Sequence, residues 1–183
     1  MQGHYNVLFL CTGNSARSIM AEAILNAKGR PNFTAYSAGS HPSGKVRPEA
    51  LRQLEISHIP ANNLRSKSWD EFALPNSPRF DFILTVCDHA AQEVCPIWPG
   101  HPATAHWGIP DPAAIRGRQD DIERAFRDAF FRLDRGIGLL LSLPLSTLDR
   151  DALRRELDRI GRTLTRSEHN SPALAERASG DRP

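Results

Sequence analysis

The sequence predicts an α/β domain: a three-layer α/β/α arrangement around a four-stranded parallel sheet. Three observations carry that expectation. Short apolar runs recur along the chain, at Val7–Leu10, Phe33–Gly39, Phe80–Cys87 and, more weakly, Ala103–Trp107. Most of the segments between and after them carry helical periodicity instead. The 183 residues, 40% of them hydrophobic, suffice for a single domain with a real core. Strands that alternate with helices favour a parallel sheet covered on both faces. In such sheets ligands bind beyond the carboxyl ends of the strands.

The elements follow in chain order. Val7–Leu10, fed by Tyr5 and Asn6, reads as a short buried strand. Ser18–Lys28 reads as a helix with Ile19, Ala23 and Ile24 on one face and Gly29 and Pro31 beyond its end. Phe33–Gly39 is a second strand running into a glycine turn. Pro48–Leu54 reads as a short helix, and Lys67–Phe72 as the start of another. Phe80–Cys87 is a third strand that ends, like the first, on a cysteine. Ala103–Trp107 is the fourth. Gln119–Leu143 carries a long helical period through Ile122, Phe126, Phe130, Leu133, Ile137 and Leu140. Leu145–Leu148 is a break, and Asp149–Leu164 is a last amphipathic helix striped by Leu153, Leu157, Ile160 and Leu164. Residues 1–166 form the expected domain. Residues 167–183, with little apolar content and no firm period, are expected to form a flexible tail.

Composition narrows the function classes. A net charge of +2 provides no large basic field for nucleic acid or a membrane surface. No apolar run approaches the ~20 residues of a membrane span, and the N-terminus lacks the pattern of a signal peptide. A cytoplasmic location is the expectation. Three cysteines, Cys11, Cys87 and Cys95, are too few and too odd in number for a disulfide framework.

The chemistry concentrates in Cys11-Thr12-Gly13-Asn14-Ser15-Ala16-Arg17-Ser18, placed where a strand gives way to a helix. Gly13 and Asn14 tolerate positive φ, so the backbone from Thr12 to Ala16 can curl into a cradle of N–H groups. Such a cradle, backed by a helix N-terminus, binds oxyanions. Arg17 adds a bidentate fork for a tetrahedral anion. The same positive surroundings are expected to lower the pKa of Cys11 and make it a thiolate nucleophile, with Ser18 donating a hydrogen bond to it.

These residues resemble the phosphate loop of the low-molecular-weight tyrosine phosphatase family and, more closely, that of the arsenate reductases built on the same fold. Tyr36–Pro42, Phe82–Gly100 and His106–Ala113 extend the resemblance over roughly residues 5–160. It implies that Asp111, stiffened by Pro112, lies on a loop over the cradle and acts as general acid. It also implies roles for the other cysteines. Cys11 would attack arsenate, Cys87 would attack Cys11 and release arsenite, and Cys95 would then attack Cys87 and carry the oxidised pair outward. That sequence requires the seven residues between Cys87 and Cys95 to loop or unwind. The thioredoxin-linked relatives have one residue fewer there, and other reductases use glutathione and glutaredoxin, or mycothiol. The external thiol reductant therefore stays open between thioredoxin and glutathione/glutaredoxin, and no tightly bound cofactor is expected. Ala16 stands where many members carry a second cysteine, which excludes a disulfide inside the loop. Some relatives bind potassium near the loop asparagine, and Asn14, Ser37 and Glu22 match that region; no metal is assigned.

A phosphotyrosine pocket needs aromatic walls. Asp111-Pro112 is instead followed by Ala113 and Ala114, and Ser40–Ser43 carries no large aromatic ring beyond Tyr36 before it. That rim suits a small inorganic oxyanion, arsenate or a phosphate-like ion, so arsenate reduction is the expectation. Tyrosine phosphatase activity is the alternative. A module that only binds anions would need the N–H groups and Arg17 but neither thiol nor acid.

Overall fold

The structure, a computed structural model, describes residues 3–93 and 98–165. Four parallel strands form one sheet: β1 (Tyr5–Cys11), β2 (Phe33–Gly39), β3 (Phe82–Thr85) and β4 (Ala103–His106), in the order β2-β1-β3-β4. β1 pairs with β2 from Tyr5 opposite Phe33 to Cys11 opposite Gly39. On its other side it pairs with β3 from Val7 opposite Phe82 to Leu10 opposite Thr85. Because all four strands are parallel, Cys11, Gly39, Thr85 and His106 end at one edge.

The two-residue period of β1 divides the core in two. Val7, Phe9 and Cys11 belong to a large cluster with Met20, Ile24, Phe126, Ile137 and Trp107. Leu8 and Leu10 point the other way, into a smaller cluster with Ala38, Ile83, Phe72, Phe80 and Trp98. In that cluster the rings of Phe72, Phe80 and Tyr36 meet edge to face, as do Phe80 and Trp98.

Helix α1 (Arg17–Lys28) is buried over most of its circumference, from Ser18 through Ala21 and again at Ala23, Ile24 and Leu25. α2 (Pro48–Ile56) opens on a proline whose fixed φ suits a first turn. α3 (Asp88–Gln92) is short and is capped by Cys87. α4 (Gln119–Leu141) buries Phe126, Ala129, Phe130, Leu133, Ile137 and Leu140 at helical spacing. It stops two residues before the expected Leu143, because Pro144 disfavours helical backbone at its predecessor. α5 (Arg150–Thr165) lies against β4 so closely that a Cβ on Gly161 would fall 2.2 Å from the His106 carbonyl oxygen.

Two other expectations are corrected. Lys67–Phe72 does not begin an α-helix. Ser68 bridges to Gly39 beside the end of β2, and only Trp69–Phe72 coil, as one 3-10 turn capped by the Ser68 hydroxyl. β3 is shorter than Phe80–Cys87: Phe80 leaves the ladder to join the aromatic cluster, and Cys87 lies two residues past the strand end. No helix among the described residues is long and apolar enough to cross a membrane. Residues 167–183 and Cys95 lie outside the described residues.

Candidate active site

Cys11 closes β1 and α1 begins at Arg17, so the loop between them is anchored at both ends. Three of its carbonyls face outward. Those of Thr12, Gly13 and Ser15 accept the backbone N–H groups of His41, Ser43 and Arg47 at 3.0, 2.9 and 2.8 Å. In a trans peptide the N–H points opposite to its carbonyl. The N–H groups of Gly13, Asn14 and Ala16 are therefore directed to the other side. That this is the thiol side is fixed by Asn14, whose N–H donates to Cys11 Sγ at 3.1 Å. Of the two residues expected to adopt positive φ, Asn14 does so, at 41°, whereas Gly13 is not among the positive-φ glycines. Glycine is demanded instead at Gly39, where an added Cβ would sit 2.3 Å from the Thr12 carbonyl oxygen.

Cys11 is 4% exposed, and its Sγ lies 2.8 Å from Ser18 Oγ. The expected lowering of its pKa is overturned. Burial raises the thiol pKa and outweighs the rest. The Ser18 hydroxyl, the Arg17 guanidinium and the Asn14 N–H pull it down, while the nearby Cys87 adds to the rise.

Arg17 is held at two points: it donates to the Ile109 carbonyl at 2.9 Å and pairs with Asp111 Oδ1 at 3.3 Å. Asp111 also caps the 3-10 turn Pro112–Ala114 by accepting the Ala113 N–H, so the Asp-Pro segment does stand beside the loop. The turn presents small residues there, as the sequence suggested.

Cys87 is buried, and its Sγ accepts the Ala90 N–H at 3.4 Å. It reaches Thr12 Oγ1 at 3.7 Å, so the second thiol arrives directly at the loop. The same Thr12 hydroxyl donates to Glu93 Oε1 at 3.3 Å, while Glu93 Oε2 is buried with no partner. Asp88, which follows Cys87, bonds His106 Nε2 at 2.8 Å, and His106 Nδ1 bonds Thr85 Oγ1. Trp107 is a core residue whose ring N–H donates to Leu157 O, and Trp98 packs in the aromatic cluster.

Beneath the loop, Asn14, Ser37 and Glu22 meet, as the resemblance implied. The cation among them is the ammonium of Lys67, 3.3 Å from Glu22 and 3.4 Å from Ser37. Lys67, Glu93 and the Ile109 carbonyl escaped the sequence reading. None of them carries a local signal, since each reaches the loop from more than 50 positions away in the chain.

The arrangement can bind a tetrahedral oxyanion and present two thiols to it. Known proteins agree with this geometry. The family model for low molecular weight phosphotyrosine protein phosphatases matches residues 6–155. An arsenate reductase from Bacillus cereus is 39% identical over 113 residues, spanning 62% of this chain and 81% of that protein. The crystal structure of an arsenate reductase from Archaeoglobus fulgidus superposes with a TM-score of 0.54 at 30% identity, covering 72% of this chain and 98% of that one. A low molecular weight tyrosine phosphatase from T. tengcongensis superposes at 0.61 with 24% identity, over 75% and 97% of the two chains, and so shares the fold. With the loop, the parallel sheet and the matched 150-residue span in agreement, the chain belongs to the low molecular weight phosphotyrosine protein phosphatase family.

Proposed function

We propose that the protein is an arsenate reductase. The observation that carries this reading is the meeting of two buried thiols at one loop, Cys11 within it and Cys87 against Thr12. Hydrolysis of a phosphate ester needs one thiol. Reduction of arsenate needs two electrons, which a pair of thiols supplies in becoming a disulfide.

The chemistry follows from the groups in place. Arsenate enters as a dianion, held by the inward N–H groups and the Arg17 fork. Because burial keeps the resting Cys11 protonated, its proton passes to an arsenate oxygen as sulfur attacks arsenic. Asp111 relays that proton to the departing hydroxyl, which leaves as water and gives a thiol–arsenate adduct. The Cys87 sulfur then attacks Cys11 Sγ, its proton passing to an oxygen of the departing arsenite. The sulfur–arsenic bond breaks, its electron pair stays on arsenic, and arsenite departs as the Cys11–Cys87 disulfide forms. Cys95 attacks Cys87 next, and an external thiol reductant of the thioredoxin or glutathione/glutaredoxin class restores the dithiol. Cys11 is the nucleophile, Arg17 the oxyanion clamp, Asp111 the acid and Ser18 the donor to sulfur. Thr12, Gly13, Asn14, Ser15 and Ala16 supply the cradle.

Phosphotyrosine hydrolysis is the second reading, favoured by the Arg17–Asp111 pair, which would serve a phosphate ester equally well. One experiment separates the two: arsenite production from arsenate with thioredoxin and its reductase, and separately with glutathione and glutaredoxin, beside p-nitrophenyl phosphate hydrolysis. The expected result is arsenite formation that disappears in both Cys11→Ser and Cys87→Ser. No arsenite with either donor, together with phosphatase turnover that survives Cys87→Ser, would establish the phosphatase instead.

A further inference from the structure

The hydrogen bonds beneath the loop have one consistent direction. The Lys67 backbone N–H can only donate, and it donates to Asn14 Oδ1 at 2.8 Å. The Asn14 amide nitrogen is thereby fixed as a double donor, to Ser18 Oγ and Ser37 Oγ, each at 2.9 Å. Ser18, accepting from Asn14, keeps its own proton for Cys11 Sγ. Ser37 accepts from Asn14 and from the Lys67 ammonium, so its proton goes to Glu22 Oε2. The network thus drains toward two atoms that carry negative charge when ionised, Glu22 Oε2 and Cys11 Sγ.

Glu22 is 13% exposed and Lys67 7%. The ammonium meets three acceptors, Glu22 Oε2 at 3.3 Å, Ser37 Oγ at 3.4 Å and the Arg65 carbonyl at 3.2 Å, which match its three protons. Tyr36 and Arg65 also feel the Glu22 charge. A buried carboxylate without a counter-charge would oppose a second anion forming nearby.

We propose that Lys67 is a positioning residue for the nucleophile: its buried ammonium neutralises Glu22 beneath the loop, while its backbone N–H sets the hydrogen-bond direction that delivers the Ser18 proton to Cys11. The proposal rests on Cys11 as nucleophile and holds for either oxyanion. In this arrangement Lys67 and Glu22 act as one unit whose net charge, more than its volume, decides how readily sulfur becomes a thiolate.

The test is the pH profile of Cys11 alkylation by iodoacetamide in the full chain, read by mass spectrometry of the Cys11 peptide. It compares wild type with Lys67→Met, Glu22→Gln and the double variant. Lys67→Met leaves Glu22 bare and moves the alkylation midpoint up by about one pH unit. Glu22→Gln leaves the ammonium bare and moves it down. The double variant carries no net charge, and its introduced amide oxygen can still accept from Ser37, so it returns close to wild type. A packing role would shift all three in one direction or none, and either result overturns the proposal. Should Lys67→Met not fold, Glu22→Gln and the double variant still decide, since a midpoint at or above wild type in Glu22→Gln overturns it. The readout follows the thiol itself, so a wild-type protein that makes no arsenite would overturn the reductase reading and leave this test intact.

Discussion

Cys11 has two opposing influences on its sulfur: burial that disfavours the anion, and the Ser18 hydroxyl, Arg17 charge and Asn14 N–H that favour it. Burial prevails, so alkylation of Cys11 is expected to show a midpoint above that of an ordinary thiol. A hydrogen bond to a charged group contributes about 1.5–3 kcal/mol, so Ser18→Ala should raise that midpoint further by about one to two pH units. Its rate of attack at neutral pH should fall at least about tenfold; an unchanged profile would mean that the 2.8 Å contact does not stabilise the thiolate. The sign carries over to stability. The folded-state pKa lies above the unfolded one, so the buried thiol contributes stability that is intact below the unfolded value and lost as pH rises through the folded value. Cys11, Arg17 and Ser18 were legible in the sequence because they share one loop, whose spacing is itself the signal. The direction of the Cys11 shift was not, because burial is set by residues far along the chain.

The cradle depends on elements outside its own loop. Residues 39–47 satisfy three of its carbonyls, and β2 must end on a residue without a side chain to come that close. Gly39→Ala would place a Cβ 2.3 Å from the Thr12 carbonyl oxygen and must push the loop aside. Overpacking of this kind costs about 1–3 kcal/mol. The variant is therefore expected to lower the urea midpoint and to lose oxyanion binding out of proportion to its stability, as measured by unfolding curves with and without phosphate. Helix α3 shows how little of an element's behaviour a short apolar run reveals. The sequence read Cys87 as the end of a strand, whereas its sulfur caps a five-residue helix that Asp88 and His106 fasten to β4. The resemblance implied only that the residues after Cys87 must be able to loop or unwind. It carried no sign that Glu93 would turn back onto Thr12.

At the scale of the whole molecule, the site is a product of strand order. β1 and β3 lie side by side, so Cys11, which closes β1, and Cys87, just past β3, reach one sheet edge although 75 positions separate Cys87 from Thr12. An anion bound there ties the loop, α1 and the Asp111 turn together. Phosphate or sulfate at 100 times its dissociation constant should stabilise the fold by about 2.7 kcal/mol, roughly 5–10 °C in Tm for a domain of this size. Arg17→Ala should remove most of that gain in a thermal shift measurement, and equal protection of the variant would place the anion elsewhere. What the sequence determined by itself was whatever depends on near neighbours: the strand and helix periods, the parallel class of the sheet, and a Cys-to-Arg loop whose spacing forms an oxyanion cradle. The tertiary structure alone decided what depends on desolvation and on distant partners. These are the raised pKa of Cys11, the arrival of Cys87 and Glu93 at Thr12, and the Lys67–Glu22 pair beneath the loop. Burial and long-range hydrogen bonds arise only once the chain has closed on itself, and no local pattern encodes them.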